Sequence, residues 1–144
     1  MTEYVLCFVM HEQDVLLIVK AKPDWQRGLM NLPGGKIEPG ETPHQAADRE
    51  LLEETNLVSH YTTELGVIAG DDWRVHVMGC CVADVHRWRS MTAEVIRWVP
   101  IRHAVVLPDI IPNLRIIIPL AAYTVRGWVM REEGFNYTCA FPRT

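Results

Sequence analysis

Between Gly34 and Leu57 the chain reads GGKIEPGETPHQAADRELLEETNL, and no other stretch restricts the fold as tightly. Thr42 is a good N-cap, Pro43 suits the first helical position and Gln45 completes a capping box, so a helix begins there. It should run to about Thr55, with Asn56 available for the left-handed stop that ends many helices. Upstream, Gly34-Gly35 allows backbone to approach a neighbour closely, and Pro39-Gly40 turns the chain. A β-bulge or simple turn would use the same glycine pair.

On that helix Glu50, Glu53 and Glu54 stand at i, i+3 and i+4 and share one face. Like charges at this spacing cost roughly 0.2–0.5 kcal/mol per pair. Arg49 is the only basic residue inside the cluster, whereas a helix that needed only solubility would interleave lysines. Two readings stand side by side. One is a solvated acidic face. The other is a carboxylate set gathered for a hard divalent cation such as Mg²⁺, which fills the rest of its shell with water and substrate phosphates. Such a site activates a water and screens phosphate charge. Glu41, just before the N-cap, can reach back over the first turn.

Around this helix the pattern is mostly extended. Tyr4–Met10 and Val15–Val19 read as a hairpin, and Asn31–Ile37 as a brief strand interrupted by glycine. Thr62–Ala69, Val75–Ala83 and Val95–Val99 read as further strands. Ile101–Leu107 reads as one or two helical turns, and Pro112–Thr124 as a second long, apolar helix that Pro119 kinks. Trp128–Arg131 and Phe135–Ala140 flank Glu132-Glu133-Gly134 as a closing hairpin. The fold class is therefore α+β, or an α/β sandwich with a mixed sheet.

The chain has 144 residues, 49% hydrophobic and 22% charged, which suits one domain over 1–144 and excludes a disordered tail or a two-domain enzyme. Fourteen basic and eighteen acidic residues give a net charge of −4, so no positive field recruits a nucleic-acid polymer. Small anionic ligands need only local positive charge or a bridging cation. No run is long and apolar enough to span a bilayer, and MTEYVLCFVM lacks the basic start of a signal peptide. Cys7, Cys80, Cys81 and Cys139 form no C-x-x-C pair, so reduced core thiols in a cytoplasmic protein are expected.

Taken together, Gly35, five residues, Glu41, seven residues, Arg49-Glu50-Leu51, one residue, Glu53-Glu54, one residue and Asn56-Leu57 resemble the Nudix box. Every charged position of the box is present; the departure is Asn56, where the family usually has Gly. The resemblance implies the Nudix fold, a mixed β-sheet sandwiched between helices. It also implies hydrolysis of a nucleoside diphosphate linked to another group, with Mg²⁺ as cofactor or Mn²⁺ in its place. By position, Glu50, Glu53 and Glu54 would be metal ligands with the Gly35 carbonyl assisting. Glu53 or Glu54 would also activate the attacking water. Arg49 would orient the carboxylates, and Glu41 would bond back to the helix or to Arg49, with a share in holding the metal as a further role.

Beyond the box, Tyr4 to Lys20, Met30-Asn31 before Pro33-Gly34-Gly35, and Pro108–Leu120 look like MutT-type purine nucleoside triphosphate pyrophosphohydrolases. That resemblance implies conversion of a nucleoside triphosphate, such as the oxidised purine 8-oxo-dGTP, to a monophosphate and pyrophosphate. Asn31 and Asn113 would read the purine edge, since an amide donates and accepts together. The mammalian members carry acids at the positions of Asn113 and Leu114. Asn113 also reads as a helix cap, and Asn31 as a turn-stabilising residue. Lys20 reads as a nucleotide contact or a solvated strand end. Trp25, Met30 and Trp73 read as a stacking surface or as packing. Asp71-Asp72 reads as a strand-joining turn, and His86-Arg87-Trp88-Arg89 as an exposed loop. The alternatives are an ADP-ribose or other nucleoside diphosphate-sugar pyrophosphatase, and a non-hydrolysing nucleotide-sensing module. The expected partner is a small nucleotide; a homodimer is left open.

Overall fold

The computed structural model describes residues 1–127 and 135–138. Its strands are β1 (Thr2–Phe8), β2 (Met10–His11), β3 (Asp14–Val19), β4 (Met30–Asn31), β5 (Gly34–Lys36), β6 (Ser59–Ala69), β7 (Trp73–Val82), β8 (Val95–Pro100) and β9 (Phe135–Thr138). Its helices are α1 (Pro43–Thr55), α2 (Ile101–Ala104) and α3 (Leu114–Gly127).

The capping signals of α1 form as the sequence predicts. The Thr42 hydroxyl accepts from the Gln45 N–H at 3.1 Å, and the Gln45 side chain accepts from the Thr42 N–H at 2.9 Å. Asn56 closes the helix at φ 63°, ψ 12°, in the left-handed region.

One sheet has the strand order β5-β1-β7-β6-β9. It is mixed: β1 runs parallel to β7 and antiparallel to β5. In the second sheet β8 pairs along the full length of β3, while β2 and β4 pair with its two ends. Strand alternation splits the core between the two faces. Val5, Cys7 and Val9 join Leu16, Ile18 and Met78 beneath Ala46, Ala47 and Leu51 of α1. Phe8 joins Leu17, Leu32 and Val77 beneath Leu114, Ile118 and Ala121 of α3. The mixed sheet sandwiched between helices is the architecture expected.

Several boundaries differ from the sequence reading. Tyr4–Met10 does not pair whole with Val15–Val19. The chain changes sheets at Val9, so only Met10–His11 forms the hairpin, with Met10 opposite Val15 and His11 opposite Asp14. Asn31–Ile37 is likewise two short strands in different sheets, because Leu32-Pro33 carries the chain from β3 to the edge of β1. The long apolar helix starts at Leu114 and contains Pro119. Asp71-Asp72 does lie in the link between β6 and β7. Of the closing hairpin, Trp128–Arg131 lies outside the described residues, and Phe135–Thr138 pairs parallel with β6. Cys7 and Cys80 are free and buried, Cys81 is free but exposed, and Cys139 lies outside the described residues. His76 is buried with its ring nitrogens 2.8 Å from Glu64 and 3.2 Å from Glu3. Among the described residues no helix is long and apolar enough to cross a membrane.

Candidate active site

α1 buries Ala46, Ala47, Leu51 and Thr55, and with them one acid, Glu54, which is only 8% exposed. Its Oε1 accepts the Gly34 N–H at 3.1 Å; its Oε2 is buried without a hydrogen-bond partner. Burial pushes the Glu54 carboxyl up to about 8, with Glu50 adding to the rise and Lys20 and the Gly34 N–H opposing it. Glu50 lies against the glycine strand, where a Cβ on Gly35 would overlap its Oε1. Glu53 points outward, and its side chain is 58% exposed.

Arg49 organises this face. Its guanidinium donates to both oxygens of Glu41, at 2.7 and 2.9 Å, to Glu50 at 2.9 Å and to Glu53 at 3.3 Å. A fifth bond, at 3.1 Å, goes to the Lys36 carbonyl. The hydrogen bonds from Arg49 hold the Glu41 carboxyl down at about 2, and those from Glu41 raise Arg49 above its usual range. The structure thus joins Glu41, Glu50 and Glu53 through one planar fork, and brings Glu50 beside Glu54.

The glycines play different parts. A Cβ on Gly34 would overlap the Val5 carbonyl, which is backbone and cannot rotate away. A Cβ on Gly35 meets only a side-chain carboxylate. Gly34→Ala is therefore expected to break the β5–β1 edge and lower stability by about 2 kcal/mol or more. Gly35→Ala is expected to displace Glu50, keeping most of the stability but losing divalent-cation affinity. Thermal melts and Mn²⁺ titrations of the two variants would separate these effects, and equal behaviour would contradict the assignment.

The Gly34-Gly35 strand that Glu54 and Glu50 contact also lines a cavity of about 480 Å³, together with Lys20, Trp25, Asn31, Trp73 and Asn113; Arg49 and the four glutamates do not line it. Most of the expected ligand contacts therefore share one space. Met30 does not: it is buried in the core on the α3 side. Trp25 is 67% exposed at the rim. The Asn31 amide is held in place, its Oδ1 accepting the Leu32 N–H at 2.8 Å and its Nδ2 donating to Gln26 at 3.3 Å. Asn113 stands at the start of α3, its backbone carbonyl accepting from Ile116 and Ile117.

Lys20 is not a solvated strand end. Its Nζ is 3.1 Å from Glu94, and both side chains are largely buried. The Ala21 N–H also donates to Glu94, at 3.3 Å. Sequence reasoning missed Glu94. No spacing pattern links it to Lys20, 74 positions away, and only the pairing of Val19 with Val95 brings the two together. Within the core beneath α1, hydrogen bonding to Cys80 and burial push the Cys7 thiol well above its usual value.

The fold and site define a class: an α+β sandwich in which an acidic helix is docked on a glycine strand that itself lines a ligand-sized cavity. The NUDIX domain model matches residues 2–121, and the chain belongs to that family. A crystal structure of a NUDIX hydrolase from Nitrosomonas europaea superposes with a TM-score of 0.72 at 25% identity, covering 96% of this chain and 78% of that one. The human 8-oxo-dGDP phosphatase NUDT18 is 47% identical over 64 residues, 44% of this chain and 20% of that protein. An ADP-ribose pyrophosphatase of Methanocaldococcus jannaschii is 36% identical over 64 residues, 44% of this chain and 38% of that protein. The chain thus spans less than half the length of these curated relatives.

Nudix hydrolases generally use divalent metal ions. Among the described residues no three His, Cys, Asp or Glu side chains form a ready cation cage, since Arg49 draws Glu53 outward and holds Glu50. Two observations nonetheless fit such an ion. Glu54 Oε2 is a buried, unpartnered oxygen, and Gly35 leaves the space beside Glu50 free of a Cβ. The donors are all hard oxygens, which suit Mg²⁺ or Mn²⁺.

Proposed function

We propose that the chain is a Mg²⁺-dependent nucleoside triphosphate pyrophosphohydrolase that accepts an oxidised purine nucleotide such as 8-oxo-dGTP. The observation that carries this reading is the unpartnered Glu54 oxygen beside Glu50, on the glycine strand that also lines a cavity edged by two asparagines and two tryptophans. Glu50, Glu53 and Glu54, with the Gly35 carbonyl, would hold the ion. When bound, it would screen the phosphate charge and favour ionised water. Arg49, bonded to Glu41, Glu50 and Glu53, would orient these carboxylates as the ion gathers them. Glu53 or Glu54 takes the proton of a water that attacks a phosphorus in line. One anhydride P–O bond breaks, giving a nucleoside monophosphate and pyrophosphate. Asn31 and Asn113, both in the cavity lining, would read the base, and Trp25 and Trp73 would offer it apolar area.

The Methanocaldococcus relative favours a second reading, hydrolysis of ADP-ribose. A panel of canonical and oxidised triphosphates, ADP-ribose and dinucleoside polyphosphates would separate the two. Pyrophosphate release supports the first; AMP with ribose 5-phosphate supports the second. Tight nucleotide binding without product in Mn²⁺ would show a sensing module instead. Within the first reading, Glu53→Gln is expected to lower kcat at saturating Mg²⁺ by roughly 10²-fold or more. An unchanged kcat would remove Glu53 from the mechanism.

A further inference from the structure

The box position usually held by Gly is Asn56 here, and the structure gives its side chain a partner. At φ 63° glycine would serve the backbone at least as well. What asparagine adds is an Nδ2–H donated to the Arg87 carbonyl at 2.9 Å. Two backbone bonds continue the same seam. The Arg89 N–H donates to the Thr55 carbonyl at 3.0 Å, and the Met91 N–H to the Glu54 carbonyl at 3.3 Å. These are carbonyls of the last turn, which have no partner inside the helix. Three residues beyond Met91 comes Glu94, held by Lys20 and by the Ala21 N–H. Residues 87–94 thus form a strap from the end of the carboxylate helix to the Glu94–Lys20 pair.

We propose that Asn56 is a positioning residue: its side-chain amide ties this strap to α1, so that Glu54, Glu94 and Lys20 are held as one unit. The kinetic arm of the test rests on the hydrolase reading above; the structural arm does not. Three full-length proteins decide it: the parent, Asn56→Gly and Asn56→Asp. Glycine and aspartate both tolerate a left-handed backbone, but neither can donate to the Arg87 carbonyl. In metal-free protein, amide hydrogen exchange at Arg89 and Met91 is expected to speed up roughly 2- to 10-fold in Asn56→Gly, the worth of one net hydrogen bond. Asn56→Asp is expected to exchange faster still, because a carboxylate facing a carbonyl repels it. With nucleotide and Mg²⁺, kcat is expected to fall in the same order while the nucleotide KM holds.

Were backbone conformation all that matters, glycine would match or exceed the parent and aspartate would equal it. That result overturns the proposal, as does unchanged exchange at Arg89 and Met91 in Asn56→Gly. Faster exchange with unaltered kcat reduces Asn56 to a structural tie and also overturns it. A parent that hydrolyses no nucleotide defeats the hydrolase reading alone, because the exchange comparison needs neither nucleotide nor metal.

Discussion

Glu54→Gln is expected to cost at least ~100-fold in turnover and, at the same time, to stabilise the metal-free protein at alkaline pH. The two effects have one cause. Glu54 is buried, has one oxygen without a partner, and titrates near 8 instead of its ordinary 4.5. A group whose pKa is raised on folding contributes stability that is complete below its unfolded value and is lost as pH rises through its folded value. Metal-free protein should therefore lose stability between about pH 4.5 and pH 8, because the unfolded chain exposes a carboxylate that water solvates freely. Gln keeps the shape and the acceptor for the Gly34 N–H but carries no charge. Its melting temperature should lack this decline, and the gap from the parent should be widest above pH 8. Saturating Mg²⁺ should restore the parent and leave Glu54→Gln nearly unmoved. Melting curves across pH, with and without the ion, read all of this. A variant less stable than the parent at pH 9 without metal would show that Glu54 is not an uncompensated buried charge.

Arg49→Lys should have a comparably large effect despite conserving charge. The guanidinium makes five hydrogen bonds in one plane, to Glu41, Glu50, Glu53 and the Lys36 carbonyl. An ammonium is a point donor and cannot hold this fork. Glu50 and Glu53 lose their shared anchor, and displacements of this kind cost on the order of 10²-fold in rate. The same substitution should move the acid transition. The Glu41 carboxyl is held down to about 2, so its contribution is present above the ordinary 4.5 and disappears as pH falls through about 2. Without the fork the Glu41 pKa returns toward 4.5, and acid unfolding should begin at higher pH. Kinetics and acid titration followed by circular dichroism test both halves. An unaltered kcat with an unaltered acid transition would refute this role for Arg49.

Legibility in the sequence followed range. The Thr42 cap, the Gln45 box, the Pro43 start and the Asn56 stop were readable because each depends on hydrogen bonds within a few residues. The pairing of Glu41 with Arg49 was also within reach, since one helical stretch separates them. The strand boundaries were less readable. Apolar runs through Val9 and Leu32-Pro33 look continuous, but the chain changes sheets there. Asn31 offered two readings from its type alone. The structure shows its amide fixed by Leu32 and Gln26 at the cavity edge, so the local turn contact and the cavity position coexist.

By itself, then, the sequence determined a capped helix with three acids on one stripe beside a glycine pair, because helical periodicity and capping are local physics. The tertiary structure decided which acid is buried, which cation faces it and what space lies alongside. Glu54 is dry because β5 closes over it, and Glu94 meets Lys20 only because β3 and β8 pair. Desolvation and long-range ion pairing depend on what surrounds a group in three dimensions, and residues 74 positions apart carry no mark of that in their order.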